Sequence, residues 1–226
     1  MKINEIETPA LILDKQTFEY NLKRMDQLLE GTTMKLRPHY KSNKCAEIAK
    51  LQIKRGAAGI TCAKLGEAED LANAGIENIL IANQVVQPSK VKRVAELAKD
   101  HYIIICVDDK DNIKALSDAA VEAGSQIHVL VEYEVGMKRC GVDTYDEFIE
   151  LAELIDKSEG LIFEGIQAYG GHMAHEHSLE TRIAETNRIE NEVRELKALL
   201  EAKGLKVKEV GGGSTGTIEQ KAKDTV

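Results

Sequence analysis

Short, nearly uninterrupted apolar runs separated by amphipathic stretches of ten or more residues most restrict the fold of this 226-residue chain. The runs are "PALILD", "TMKLRPHYK", "AAGITCA", "NILIAN", "YIIICVD", "QIHVLVE", "LIFEGIQAY" and "KVKEVGGG". Strands this apolar on both faces belong in a parallel sheet covered by helices. Phe18, Leu22, Met25 and Leu28 or Leu29 fall at helical spacing before Gly31. Further helices are predicted near 44–55, 64–74, 88–100, 109–123, 144–157 and 178–203, most closed by Gly or an Asp/Asn turn such as "EAGS" and "EAKG". Roughly seven strand–helix units favour a (β/α)8 TIM-like barrel over an open dinucleotide-binding sheet. No GxGxxG follows the first strand, which removes the best support for the latter. Counted from "TMKLRPHYK" the runs supply seven barrel strands, and a closed barrel needs an eighth, which is not read before "EQKAKDTV". The expectation is therefore one domain, 1–226, with something C-terminal to it absent.

Composition narrows the function classes. Hydrophobic residues at 43% and charged residues at 30% exclude a disordered chain. A net charge of −8 argues against a nucleic-acid or anionic-membrane partner. The start "MKINEIETPA" lacks the apolar segment of a secretion signal, and "YIIICV" is far too short to span a bilayer. Cys45, Cys62, Cys106 and Cys140 are scattered singly, as reduced thiols of a cytoplasmic protein are.

Against that acidic background, "KLRPHYKSNK" places Lys35, Arg37, His39, Lys41 and Lys44 within ten positions. Strand alternation puts Lys35, Arg37, His39 and Lys41 on one face and Met34, Leu36, Pro38 and Tyr40 on the other. Two readings stay open. The charged face points into the barrel, where an anionic ligand supplies counter-charge, or this is an edge strand with a solvated basic face, which Pro38 favours. A lysine held among cations is the kind that forms a Schiff base. Lys41, nearest the strand's end, is the better candidate, and Lys44 is expected to start the next helix.

The stretch "LRPHYKSNKCAEIAKLQIKRGAAGITCAKLGEAEDLANAGIENILIANQVV" resembles the N-terminal barrel of the D-threonine aldolase and D-serine dehydratase family. That family belongs to the alanine-racemase-like, fold-type III enzymes that use pyridoxal 5'-phosphate (PLP). The resemblance implies an alanine-racemase-type barrel, here lacking its last strand and the C-terminal β-domain. In the family's "RPHxKTHK"-like signature the first lysine holds PLP covalently, which carries over to Lys41. Asn43 stands where the second histidine is usual. The signature "HFIGxLQxNK" of lone PLP-binding homeostasis barrels is missing; "NILIANQVV" stands there.

Three further segments carry candidate chemistry. "VEYEVGMKRCGV" follows a strand, and its Arg139 is either a fixed cation for a phenolate or carboxylate, or a solvated turn residue beside Lys138. The resemblance assigns Arg139 to the PLP phenolic oxygen, with Glu134 where aspartate is usual. "IQAYGGHMAHEHS" offers His172, His175 and His177 at a spacing that invites a metal, but a fourth ligand is not visible. By resemblance Tyr169 and His172 are cofactor-side residues and His175 a substrate-side acid or base, while His177 opens the next helix. "EVGGGSTGT" is a glycine-rich loop suited to an anion. The resemblance makes Gly213, Ser214 and Thr215 its phosphate ligands, with Gly216 replacing a proline and loosening the loop.

Together these imply a PLP-dependent lyase acting on D-β-hydroxy-amino acids, D-threonine aldolase-like. The alternatives are a D-serine or 3-hydroxy-D-aspartate dehydratase, an amino-acid racemase, or a non-catalytic PLP-binding homeostasis protein. Complete relatives are expected to be homodimers. They hold Mn or Zn through a His-x-Cys or His-x-Asp pair in a C-terminal β-domain, and this chain has no such pair.

Overall fold

A computed structural model describes residues 2–221. Seven helices of nine residues or more alternate with six strands: α1 (Lys15–Leu29), α2 (Ala46–Lys54), β1 (Ile60–Cys62), α3 (Leu65–Asn73), β2 (Asn78–Ile81), α4 (Pro88–Leu97), β3 (Tyr102–Val107), α5 (Lys110–Ala123), β4 (Ile127–Glu132), α6 (Tyr145–Lys157), β5 (Leu161–Ala168), α7 (Leu179–Ala202) and β6 (Glu209–Gly212). A short α8 (Ile218–Lys221) follows, and 3-10 turns occupy Ile3–Glu5 and Gly171–His175. Local chemistry sets the boundaries. Asp14, Asp109, Thr144 and Ser178 each accept a backbone N–H in the first turn of the helix they precede. Pro88 opens α4, and Gly124 ends α5 in the left-handed conformation.

All pairings are parallel, in the order β1-β2-β3-β4-β5-β6. Sequential order without reversal is that of a barrel wall rather than a doubly wound sheet. Outward residues such as Ile79, Ile103, Val129 and Phe163 join Leu71, Val94, Leu116 and Phe148 of the helices in one buried core. Leu80, Ile104, Cys106 and Leu130 form a second cluster on the concave face. Burial pushes the Cys62 thiol up to about 12 and raises Cys106 well above the usual thiol range, so these two thiols serve packing rather than chemistry.

β5 keeps its apolar residues in the outer core despite an odd spacing, because Phe163 and Ile166 both face it. A register shift opposite Val129 and Leu130 absorbs the extra residue Glu164, next to Gly165, whose φ is +145°. A side chain at Gly165 would overlap the Glu209 carbonyl.

Two predicted strands differ from expectation. "PALILD" is not a strand: Leu11, Ile12 and Leu13 are exposed. "TMKLRPHYK" is reduced to an isolated bridge between His39 and Thr61. Its backbone still runs parallel to β1, with Ala58 N donating to Leu36 O, Thr61 N to Pro38 O and Tyr40 N to Thr61 O. Pro38 withholds the amide that by register would face Gly59, so the ladder never becomes continuous.

Beneath the concave apolar cluster lies a polar layer. Arg37 Nη2 donates to Glu209 Oε2 at 2.7 Å, Nε to Oε1 at 3.2 Å, and Nη1 to Asn78 Oδ1 at 2.6 Å. The counter-charge expected from a ligand is, for Arg37, supplied by the protein. Beside it Tyr102 stacks on His128, with ring centroids 3.7 Å apart. His128 Nδ1–H and Lys208 Nζ donate to Glu164 Oε1 at 2.5 and 3.0 Å. Burial pushes the Glu164 carboxyl up, but hydrogen bonds from His128, Lys208 and Tyr102 outweigh it and hold the group at about 2.

A carboxyl depressed this far contributes stability that is present above its unfolded value and lost as pH falls through the folded one. Glu164→Gln should therefore cost about 3 kcal/mol in urea unfolding at pH 7. The difference from wild type should narrow at pH 4. A gap that widens on acidification would contradict this account of Glu164.

Candidate active site

Arg139, Tyr169, His172, His175, Gly213, Ser214 and Thr215 lie on segments that follow the C-terminal end of a parallel strand, and Lys41 follows the bridged segment before α2. Parallel strands place these segments at one mouth of the curled sheet. Lys41 sits in the turn Tyr40–Asn43 and is exposed. Its ammonium has no bonded partner among the described residues. Tyr40 anchors the turn: it is 3% exposed and its hydroxyl donates to Asp70 Oδ2. Lys44 does not start α2, which begins at Ala46 after Cys45. Lys35 is exposed and takes no part in the mouth.

The segment after β4 folds back over the mouth. The Arg139 guanidinium lies 5.1 Å from the Tyr169 ring centroid and its Nη2 3.7 Å from Glu132 Oε1. Glu132, at the end of β4, accepts from Gln84 Nε2 at 2.6 Å. Burial raises the Glu132 carboxyl above the usual range, even against the pull of Gln84 and Arg139. Glu134 shapes the loop by accepting from the backbone N–H of Gly136 and Arg139, which is a bracing role within the loop. Gly141 donates its N–H to Asp108 Oδ2 at 2.9 Å.

After β5, Tyr169 stands over Gly171, where a side chain would overlap its ring. His172 Nε2 lies 3.4 Å from Glu185 Oε1. Glu185 is fixed by Arg188, whose hydrogen bonds hold its carboxyl below the usual range. Arg188 also donates to the Val135 carbonyl, so α7 ties the two loops together. With Nε2–H directed at Glu185, Nδ1 is the basic atom of His172, and it is buried without a partner. His172 and His175 line one cavity of about 520 Å³ with Arg182, Glu185 and Arg188. His177 is exposed beside Ser178, the cap of α7. Among the described residues no group of three or more His, Cys, Asp or Glu side chains is placed to hold a metal ion.

After β6, Gly213 adopts φ +72°. Ser214 N–H is taken by Thr217 Oγ1 at 3.0 Å, while Ser214 Oγ is buried without a partner. Thr215 is exposed. Gly216 does not merely loosen the loop: a Cβ there would lie 2.9 Å from Ala174 Cα and 3.0 Å from Met173 O. The glycine lets this loop pack on the Gly171–His175 turn and so joins Ser214 to the histidines.

Sequence reasoning missed Glu132, Gln84, Glu185, Arg188 and Thr217. Only the position of Glu132 at a strand's C-terminal end gave a signal. Three of the buried polar atoms without partners, Gln167 Oε1, His172 Nδ1 and Ser214 Oγ, belong to residues at or just after the C-terminal ends of β5 and β6. With the free Lys41 amine and the Arg139–Tyr169 pair, they fit a flat, anionic, hydrogen-bonding group such as PLP.

The alanine racemase N-terminal domain profile matches residues 13–225. The chain is 39% identical over 219 residues to a 3-hydroxy-D-aspartate aldolase of Paracoccus denitrificans (strain Pd 1222), covering 96% of this chain and 57% of that protein. It is 39% identical over 214 residues to a D-threonine aldolase of Arthrobacter sp, covering 95% and 56%. The crystal structure of D-threonine aldolase from Filomicrobium marinum superposes with a TM-score of 0.92 at 40% identity, covering 95% of this chain and 58% of that one. The chain thus spans a little over half the length of the relatives it matches.

Adjacency of the two loops is open to test through Gly136, which has φ +120° and where a Cβ would lie 3.0 Å from His172 Nε2. Gly136→Ala should destabilise by about 1–3 kcal/mol. Adding His172→Ala should recover part of that loss, a coupling of at least about 0.5 kcal/mol. Strictly additive unfolding energies would separate the loops.

Proposed function

The chain belongs to the alanine racemase N-terminal domain family, and from that premise we propose that residues 1–226 form the barrel domain of a PLP-dependent lyase. Its reaction is retro-aldol cleavage of a D-β-hydroxy-amino acid, D-threonine aldolase-like, to glycine and an aldehyde. The observation that carries the reading is the free amine of Lys41 at the same mouth as the unpartnered His172 Nδ1 and Ser214 Oγ. Names of two relatives, a D-threonine aldolase and a 3-hydroxy-D-aspartate aldolase, support the same substrate class.

Lys41 would hold PLP covalently. Arg139 and Tyr169 would flank the ring's phenolic edge, His172 would lie near the ring, and Gly213, Ser214 and Thr215 would take the phosphate. PLP, when bound, supplies an electron sink for the pair released at the substrate's Cα. Arg139 is steadied by Glu132 and stacks on Tyr169, so it offers its charge in a fixed direction. Glu185 keeps the His172 proton on Nε2 and leaves Nδ1 free to accept another. His175, in the same cavity, is the residue assigned to take the β-hydroxyl proton. The described residues offer no three-ligand group for the Mn or Zn expected of complete relatives, and no step is given to a metal. The reading carries with it a cytoplasmic homodimer acting on a small D-amino acid, with no nucleic-acid or membrane partner. Among the described residues no helix is long and apolar enough to cross a membrane.

Purified protein treated with PLP and then borohydride should carry a pyridoxyl group on Lys41 by peptide mapping. D-threonine, with Mn²⁺ or Zn²⁺ present, should give glycine and acetaldehyde in equal amounts, and Lys41→Ala should abolish both results. A label on Lys44, or no label, overturns the assignment of Lys41. Release of ammonia with 2-oxobutanoate would replace the aldolase by a dehydratase.

A further inference from the structure

The Lys41 side chain is exposed and unbonded among the described residues, so its direction is set by its backbone alone. Both backbone groups of that residue are held by side chains of its own basic stretch. The Lys41 N–H donates to His39 Nδ1 at 3.2 Å. The Lys41 carbonyl accepts from Lys44 Nζ at 3.1 Å. Lys44 is itself fixed, because Nζ pairs with Glu67 Oε1 at 2.5 Å and the other Glu67 oxygen accepts Ala63 N–H at 2.9 Å, just past β1. Lys44 also has φ +45°, a conformation lysine disfavours, and its N–H closes the turn on the Tyr40 carbonyl at 3.0 Å. His39 can accept at Nδ1 only while neutral. Burial, then the neighbouring Lys41 charge, hold it below the usual histidine range despite the opposing pull of Glu67.

We infer that His39 and Lys44 are positioning residues, a two-sided mount that fixes the direction in which Lys41 leaves the barrel mouth. The inference rests on the reading of Lys41 as the PLP lysine for its purpose, though not for its geometry. Neither residue touches the cofactor in this account. Each acts through a backbone atom of Lys41, and the role of Lys44 accounts for a cation that Glu67, and not a ligand, neutralises.

The test measures the rate at which borohydride traps pyridoxyl on Lys41, mapped by peptide, at limiting PLP. Lys44→Gly removes the ammonium and relaxes the positive φ, and His39→Leu removes the acceptor. Each should slow labelling of Lys41 about tenfold or more. Lys44→Arg restores the donor and His39→Asn places an amide oxygen near the lost nitrogen, so both should recover most of the rate. Lys44→Gly and His39→Leu labelling as fast as wild type would overturn the inference, as would conservative variants that fail to recover. Amide hydrogen exchange gives a readout independent of PLP. The Lys41 amide should exchange faster in His39→Leu and regain protection in His39→Asn, and equal exchange in all three proteins overturns the mount. Absence of label on wild-type Lys41 would overturn the capture role instead, with exchange still deciding whether the mount exists.

Discussion

The bidentate pairing of Arg37 with Glu209 is the interaction on which the rest of the structure depends. These residues stand 172 positions apart, one on the bridged segment that runs beside β1 and the other at the start of β6. Their meeting means that the sheet has curled until its two ends face each other across the interior. A guanidinium with a side chain only 11% exposed is costly unless paired, so a flatter sheet would strand a charge at each end. Buried ion pairs are weak sources of net stability and good sources of geometry. Here the geometry is closure, which aims all the loops at the opposite mouth toward one point. Gly59 belongs to the same device, since a side chain there would overlap the Arg37 guanidinium and Asn78.

Most of the fold was legible because burial writes its period into the sequence. The helices expected near 88–100, 109–123 and 144–157 correspond to α4, α5 and α6, and the run "YIIICVD" to β3. What escaped did so for physical reasons. Pro38 leaves a strand in every respect except a continuous ladder, and alternation cannot report a missing amide. "PALILD" has strand composition but no paired neighbour among the described residues, so composition alone misled. The bulge at Glu164 was visible in principle, because Phe163 and Ile166 sit three apart where a regular strand would place core residues two or four apart.

The candidate site was legible by position and opaque by partnership. The segments carrying Lys41, Arg139, His172 and Ser214 were picked out because each follows an apolar run, which the barrel rule converts into a shared mouth, while Tyr169 and the proposed roles came from the family resemblance. Glu185 and Arg188 lie on α7, a helix whose sequence announces only a solvated face, and nothing in one dimension says that they brace His172. Thr217 was overlooked because a fully buried threonine in a glycine-rich turn resembles loop filler, although its hydroxyl holds the turn through Ser214. Positions came from periodicity, and second neighbours came only with coordinates.

The basic stretch now has a division of labour that charge counting could not reveal. Arg37 looks inward and down, to Glu209 and Asn78, and belongs to the polar layer with Tyr102, His128 and Glu164. His39 and Lys44 look to the backbone of the residue between them. Among the described residues the Lys35 and Lys41 ammoniums both lack a partner, and of the two only Lys41 follows the bridged segment into the mouth, which is why it is the amine proposed for chemistry. An acidic protein can keep such a cluster without an anionic ligand because Glu209 and Glu67 supply the negative charge locally. Arg37, Glu164 and Glu209 of the polar layer are each paired, whereas Gln167, His172 and Ser214 each carry a buried atom without a partner. Unmet hydrogen bonding next to the unbonded Lys41 amine, and not orphaned atoms as such, is what marks the mouth as the candidate site.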